Sequence, residues 1–384
     1  MTSPKNVAVL GATGSIGRAG LEVIAAHPDR FRAWAVVAQS RGTEIASLAR
    51  ACGALHVGLA DEVAHDALAR EWRGPGKLHG GTDAICALVA HPEVDVVLVG
   101  VAGAAGLAPT LAAARAGKRI ALANKESMVM AGPIVRAICR ATGAELIPVD
   151  SEHSAIFQAL QCGRRADVKK VILTASGGAL KAKTQAELEH VTPADALKHP
   201  TWSMGAKITI DSASLINKAL EVVEARWLFD LEPTAIDVVV HPQSIVHSMV
   251  EFQDGAVIAQ MSRPDMKLPI QYAFSHPERL GGLDVGFDLA AYRRLDFEAP
   301  DLARFPGLGL GFEAIRAGGT MGAVLNAANE VAVARFLAGA LRFPRIAAGV
   351  EKTMARHRTV RDPDLPQVLD ADAWAREEVL RCLA

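Results

Sequence analysis

The feature that most constrains this chain is the glycine cluster GATGSIG at residues 11–17, because of what stands on either side of it. Before it runs a short apolar segment, NVAVL; after it come Ile16, Leu21 and Ile24 at helical spacing, ending at His27-Pro28. That order predicts strand, turn and helix, with Gly11, Gly14 and Gly17 letting the backbone approach an anion at the helix start. A glycine cluster alone would serve any tight turn. Its place between a strand and a helix points to the pyrophosphate of a dinucleotide, held by the N–H groups of Thr13, Gly14, Ser15 and Ile16.

The same pairing recurs down the first third: AWAVVA then TEIASLARAC, VDVVLVGVA then LAPTLAAARAG, KRIALA then SMVMAGPIVRAICRATG, and finally AELIPV. Strands alternating with helices imply a parallel sheet covered on both faces, the doubly wound α/β arrangement. The residues after the second strand then bear on the choice of dinucleotide. NAD sites place an acid there for the ribose 2'-hydroxyl, whereas this chain reads Gln39, Ser40 and Arg41. A cation without an acid favours NADPH, against the plain reading of a solvated arginine.

Composition excludes several classes. At 384 residues the chain exceeds one growing core, so two or three domains are expected. A net charge of −1 carries no basic footprint, so no nucleic acid is expected. Five scattered cysteines without a C-x-x-C pair argue against a disulfide framework or structural zinc and fit a reducing cytoplasm. The apolar start is broken at once by glycines, unlike a secretory leader. Residues 96–114 are uncharged and long enough to span a membrane, but Gly100, Gly103, Gly106 and Pro109 divide them into strand, turn and helix.

Chemistry concentrates in the middle of the chain. In ELIPVDSEHSAI, Asp150 and Glu152 stand where a strand ends, and two carboxylates at i and i+2 offer hard oxygens to magnesium or manganese. Capping of the following helix by Asp150 or Ser151 explains the same residues. A third ligand has a candidate in residues 211–229, expected as one helix on which Ser214, Asn217, Lys218 and Glu221 share a face. Glu224 is the rival ligand, and a solvated Lys218–Glu221 pair the bland alternative. Ser176, Gly177 and Gly178 resemble a second anion-binding turn, and Ser212 could donate from a helix start. Trp202, Ser203, Met204 and Gly205 lie in a loop suited to closing over a substrate, although Trp and Met more often fill cores.

Together with HPTWSMGAKITIDSASLINKALEVVEARWLF, HPQSIVHSM, RPDMKLPIQYA and LNAANEVAVARFL, these motifs closely resemble the 1-deoxy-D-xylulose 5-phosphate reductoisomerase family. The resemblance covers nearly the whole chain. It implies conversion of 1-deoxy-D-xylulose 5-phosphate to 2-C-methyl-D-erythritol 4-phosphate in non-mevalonate isoprenoid synthesis, using NADPH and Mg2+ or Mn2+. It makes Asp150, Glu152 and Glu221 the metal ligands, favouring Glu221 over Glu224, and counts them with Lys125 as catalytic. It gives Lys125, Ser151 and Glu152 to the substrate's hydroxylated backbone. Ser176, His199, Ser212, Asn217 and Lys218 go to its surroundings and phosphate, and Trp202 and Met204 to a mobile flap. Thr13 to Ile16, Asn124, Glu126 and Gly205 match NADPH contacts, while Gln39, Ser40 and Arg41 depart from the family pattern. Lys125 is expected to move a proton or stabilise negative charge, with His153 and His199 as weaker acid–base candidates.

Further on, SIVHSMVEFQDGAVIAQM reads as a hairpin turning at Asp254-Gly255, and Ala- and Leu-rich helical patterns follow from about residue 310. The expected organisation is an NADPH-binding Rossmann-like domain at 1–149 and a catalytic α+β domain at 150–285 whose sheet carries a homodimer interface. A linker at 286–311 and a C-terminal helical bundle at 312–384 follow. The expected partners are a sugar phosphate and a second copy of the chain, with neither nucleic acid nor membrane. Two alternatives remain: a metal-independent NADP-dependent aldehyde or semialdehyde dehydrogenase, which needs a nucleophilic cysteine, and a non-catalytic NADPH sensor, which needs no acidic cluster.

Overall fold

The computed structural model describes residues 3–384 apart from Pro75, Gly282, Asp284 and Val285. The chain divides into two compact units, the first made of Met1–Ser127, Val135–Ser154 and Asp265–Gly286 and the second of Met128–Ile134, Ala155–Pro264 and Phe287–Ala384.

The first unit is built on β1 (Lys5–Leu10), β2 (Phe31–Ala38), β3 (His56–Leu59), β4 (Lys77–Gly80), β5 (Val96–Val99), β6 (Arg119–Leu122) and β7 (Glu145–Pro148). All seven are parallel, in the order β4-β3-β2-β1-β5-β6-β7. Helices cover the sheet, which is why its strands are short continuous apolar runs: every residue of β5 and the last four of β1 are buried. The expected doubly wound sheet is present. It also contains β3 and β4, four residues each and polar enough to have escaped the sequence reading. Strand order reverses between β1 and β5, so the ligand crevice of such a sheet lies beyond the ends of those two strands.

The helix Lys267–Ser275 returns late in sequence to pack on Ser15–Ala26. It seats the fully buried Phe274 edge-on to Phe31, with ring centroids 5.5 Å apart. Residues 96–114 divide as expected, into β5, a tight turn at Gly103–Gly106 and the helix Leu107–Arg115. Among the described residues no helix is long and apolar enough to cross a membrane.

The second unit holds β8 (Val168–Ala175), β9 (Ile236–Val240), β10 (Val246–Phe252) and β11 (Val257–Met261) in the order β11-β10-β8-β9. β8 and β9 run parallel, and β10 is antiparallel to β8 and β11. The hairpin turns at Asp254-Gly255 as its sequence predicts, with Gly255 at φ +88°.

Residues 211–229 correct the expectation of one helix. They fall in two, Ala206–Ala213 and Ile216–Leu228, separated by Leu215 at φ +58°. The Ser214 hydroxyl donates to the Asp211 carbonyl at 3.2 Å, competing with the helical ladder where the break occurs. Ser214 therefore lies outside the helix that carries Asn217, Lys218 and Glu221.

Ile216–Leu228 packs against β8, β9 and the helix Gly307–Ala317. That last approach needs glycine, since a Cβ at Gly311 would stand 2.4 Å from the Ala219 carbonyl oxygen. Further helices follow at Met321–Leu337, Pro344–Arg356 and Leu365–Leu383, the first packed against the other two. Between sheet and helices, Glu298 exchanges backbone hydrogen bonds with Val240 of β9 at 2.8 and 2.9 Å.

Candidate active site

Beyond β1, Gly11 adopts φ +73°, and a Cβ there would fall 2.5 Å from the Gly100 carbonyl oxygen that follows β5. A Cβ at Gly17 would fall 2.3 Å from the Gly11 oxygen. These two glycines close the loop against its neighbours at the switch point. Gly14 does something else: it is the N-cap of Ser15–Ala26, where no side chain caps the helix and no acid occupies the first turn. An anion such as a pyrophosphate thus meets a positive helix end whose own first turn carries no carboxylate, so the cradle fits a dinucleotide.

Gln39, Ser40 and Arg41 follow β2 and are exposed. Arg41 Nη1 lies 3.4 Å from the Thr13 carbonyl oxygen and 3.4 Å from Glu44 Oε2. Arg18 reaches the same place from the first helix, with Nε 3.4 Å from that carbonyl and an ion pair to Glu44 Oε1. The sequence reading missed Arg18 and Glu44. Only the pairing of β1 with β2 brings residues 18, 41 and 44 together.

Asn124, after β6, caps the helix Lys125–Thr142 by accepting from Ser127 N at 3.0 Å. Its amide nitrogen donates to the carbonyls of Val101 and Gly103 and to Glu126, at 2.8, 2.9 and 2.9 Å. Asn124 and Glu126 are both buried, so the asparagine fixes the loop after β5 while starting the helix that presents Lys125. The helix loses regular geometry at Ala131 (φ −137°, ψ 29°), two residues before Pro133, whose ring cannot continue the ladder.

β6 and β7 are hydrogen-bonded neighbours, Leu122 opposite Pro148, so the residues just past their ends emerge side by side. Lys125 Nζ there lies 2.6 Å from Asp150 Oδ2, the side chains only 6% and 13% exposed. Burial alone would raise the Asp150 carboxyl, but the Lys125 ammonium and the His153 ring outweigh it and hold the group far below the usual carboxylate range. His153, fully buried, places Nδ1 3.6 Å from the same oxygen. Ser151 donates to Glu152 Oε2 at 2.6 Å. Asp150 stands directly before the helix Ser151–Ala159, where the capping alternative put it, and its carboxylate also faces a lysine and a histidine.

In the second unit, the turn after β8 has Gly177 and Gly178 at φ +85° and +70°, and Gly178 passes so close to Ser212 that a Cβ would lie 2.6 Å from its carbonyl. His199 Nδ1 accepts from the backbone N–H of Thr201 and Trp202 at 3.1 and 2.9 Å. Its other nitrogen therefore carries the proton and donates to Ser176 Oγ, 2.9 Å away. Burial lowers the pKa of this ring and keeps it neutral. Ser176 Oγ also accepts from Gly178 N at 3.1 Å, which leaves its own proton to give to a ligand. His199 thus anchors the loop carrying Trp202, Ser203, Met204 and Gly205, in which the Trp202 ring stands edge-on to His247.

Ser212 is buried on Ala206–Ala213, a helix held by Asp211, whose carboxylate accepts from buried Asn329 at 2.8 Å and pairs with Lys207 at 2.9 Å. One helix later, Asn217 and Lys218 both donate to the Glu221 carboxylate. Lys218 and Glu221 are 3% and 0% exposed, which overturns the reading of a solvated pair. Glu224 is equally buried. Carboxylate oxygens such as those of Asp150 and Glu221 are hard donors of the kind a divalent cation takes.

A parallel sheet with a glycine loop at its switch point and a lysine–carboxylate pair past its strand ends has the arrangement of the dinucleotide-binding α/β class. A family model described as 1-deoxy-D-xylulose 5-phosphate reductoisomerase matches residues 7–132. Two models of C-terminal domains of that enzyme match residues 146–229 and 261–378. The reductoisomerase of Xanthomonas axonopodis pv. citri is 50% identical over 387 residues, covering 100% of this chain and 98% of the relative. That of Bordetella pertussis is 49% identical, with 98% of each covered.

Among solved structures, the Zymomonas mobilis reductoisomerase in complex with NADPH superposes with a TM-score of 0.92 at 40% identity over 99% of each chain. A DOX-P reductoisomerase in complex with NADPH, fosmidomycin and magnesium gives 0.93 at 37% identity, covering 99% of this chain and 98% of the other. The chain belongs to the 1-deoxy-D-xylulose 5-phosphate reductoisomerase family.

Proposed function

We propose that the protein converts 1-deoxy-D-xylulose 5-phosphate to 2-C-methyl-D-erythritol 4-phosphate, with NADPH and Mg2+ or Mn2+, in non-mevalonate isoprenoid synthesis. The observation that carries this reading is 50% identity to a reductoisomerase across the full chain. Solved relatives bound to NADPH and to magnesium supply the cofactors.

In this reading Asp150, Glu152 and Glu221 hold the cation. Thr13, Gly14, Ser15, Ile16, Gln39, Ser40, Arg41, Asn124, Glu126 and Gly205 form the NADPH site. The bound groups supply Lewis-acid polarisation of the substrate carbonyl and a hydride. The remaining work falls to the chain itself. Lys125 stabilises negative charge on a substrate oxygen or moves a proton to it, and Ser151 with Glu152 orients the hydroxyls. Ser176, Ser212, Asn217 and Lys218 bind the phosphate, giving binding energy remote from the reacting carbons. His199 keeps Ser176 aimed, while Trp202 and Met204 exclude water.

The reading includes the domain division at 1–149, 150–285, 286–311 and 312–384, the last a helical bundle. It also includes a cytoplasmic homodimer that pairs through the second sheet, of which β11 is an edge strand. The competing dehydrogenase needs an activated thiol. Burial pushes the Cys139 thiol up, the opposite of activation.

The test follows NADPH absorbance with 1-deoxy-D-xylulose 5-phosphate, with and without magnesium or manganese, in the wild type and Glu221→Gln. The expected result is oxidation that requires both substrate and metal and collapses in the variant. Consumption of NADPH without metal, or with simple aldehydes, would hand the function to the dehydrogenase.

A further inference from the structure

We propose that Arg18 is a second residue for the 2'-phosphate of NADPH beside Arg41, and that Glu44 is the counter-charge which this phosphate replaces. The inference rests on the NADPH reading and goes beyond it, since neither Arg18 nor Glu44 belongs to the motifs that suggested the cofactor.

The geometry is that of two arms meeting on one carboxylate. Arg18 comes from the helix after the glycine loop and Arg41 from the end of β2, where a dinucleotide's 2'-substituent lies. The two Glu44 oxygens are divided between them, Oε1 to Arg18 and Oε2 to Arg41. Both guanidiniums also stand 3.4 Å from the Thr13 carbonyl oxygen, so both are gathered at the glycine loop.

Two arginines around one carboxylate leave a net positive charge, and a planar guanidinium fork suits phosphate as well as carboxylate. A phosphate monoester brings up to twice the charge of Glu44 and three acceptor oxygens, enough to engage both forks at once. The side chains of Arg18 and Arg41 are 49% and 64% exposed, and that of Glu44 32%, so the exchange breaks no buried contact.

The test is calorimetric binding of adenosine 2',5'-bisphosphate and of AMP to the full-length protein. The two ligands differ only in the 2'-phosphate, and the readout needs neither metal nor turnover. Arg18→Leu is expected to weaken the bisphosphate by about tenfold or more and leave AMP unchanged, as is Arg41→Leu. Glu44→Gln is expected to tighten the bisphosphate several-fold.

Unchanged AMP binding confirms that each variant is folded. An Arg18→Leu protein that keeps the wild-type ratio between the ligands overturns the role of Arg18. A Glu44→Gln protein that binds the bisphosphate less tightly overturns the exchange. A wild type that fails to prefer the bisphosphate overturns the NADPH assignment itself, and the clamp with it.

Discussion

The two buried lysine–carboxylate pairs are made by different routes. Lys125 and Asp150 are 25 residues apart and meet because two neighbouring parallel strands end together. Lys218 and Glu221 are a single helical turn apart, and no tertiary fold is needed to join them. The difference lies in what the fold contributes. In the first pair it supplies the contact; in the second it supplies the burial, turning a spacing that is ordinarily a solvated surface pair into one sealed from water. Removing one partner therefore has different consequences in the two places.

The largest effect is expected on the rate. Lys125→Met should lower kcat by roughly 10²–10⁴-fold, the range for loss of a positioned proton donor, measured by steady-state NADPH oxidation. Next comes stability. Lys218→Met leaves the Glu221 carboxylate buried without its ammonium and should cost about 3–5 kcal/mol in urea unfolding, with Lys218→Met/Glu221→Leu recovering much of it. Should the two single variants lose rate and stability in equal measure, the contrast between the pairs is void.

A smaller effect separates orientation from chemistry. His199→Ala should raise KM for the phosphorylated substrate about tenfold and leave kcat within about twofold, because it frees the Ser176 hydroxyl that the ring holds. The smallest effect belongs to a pair with no charge, His56 Nδ1 and His79 Nε2, 2.9 Å apart on β3 and β4. Burial lowers both rings below the ordinary 6.5. Just below that value the unfolded chain takes up protons that the folded chain refuses. Stability should therefore be complete above about pH 6.5 and decline as pH falls towards the lowered values. The decline in unfolding midpoint between pH 7 and pH 5 should be shallower in His79→Gln.

The same contrast explains how much could be read in advance. Local signals carried well: the glycine loop, the strand–helix alternation, the Asp254-Gly255 hairpin and the division of residues 96–114 all depend on neighbours in sequence. Spacing put Ser214, Asn217, Lys218 and Glu221 on one face; the structure keeps the last three on one helix but not Ser214, because the break at Leu215 goes with a serine hydrogen bond that periodicity does not register. The Lys125–Asp150 contact, the tautomer of His199 and the meeting of Arg18 with Arg41 depend on which strands are neighbours, and one sequence does not state that. β3 and β4 were missed because four-residue strands with histidine and lysine lack the apolar run that marked the others.

The late return of the helix Lys267–Ser275 has a consequence for synthesis. The first unit begins with the opening residues of the chain, yet the surface that buries Phe274 against Phe31 stays open until the segment Asp265–Gly286 has been made. A ribosome must therefore extend well into the second unit before the first can close. For most of translation the nascent sheet exposes apolar helix surface, so chaperones have their longest access to this end of the molecule. A truncation ending at residue 264 would keep that exposure permanently.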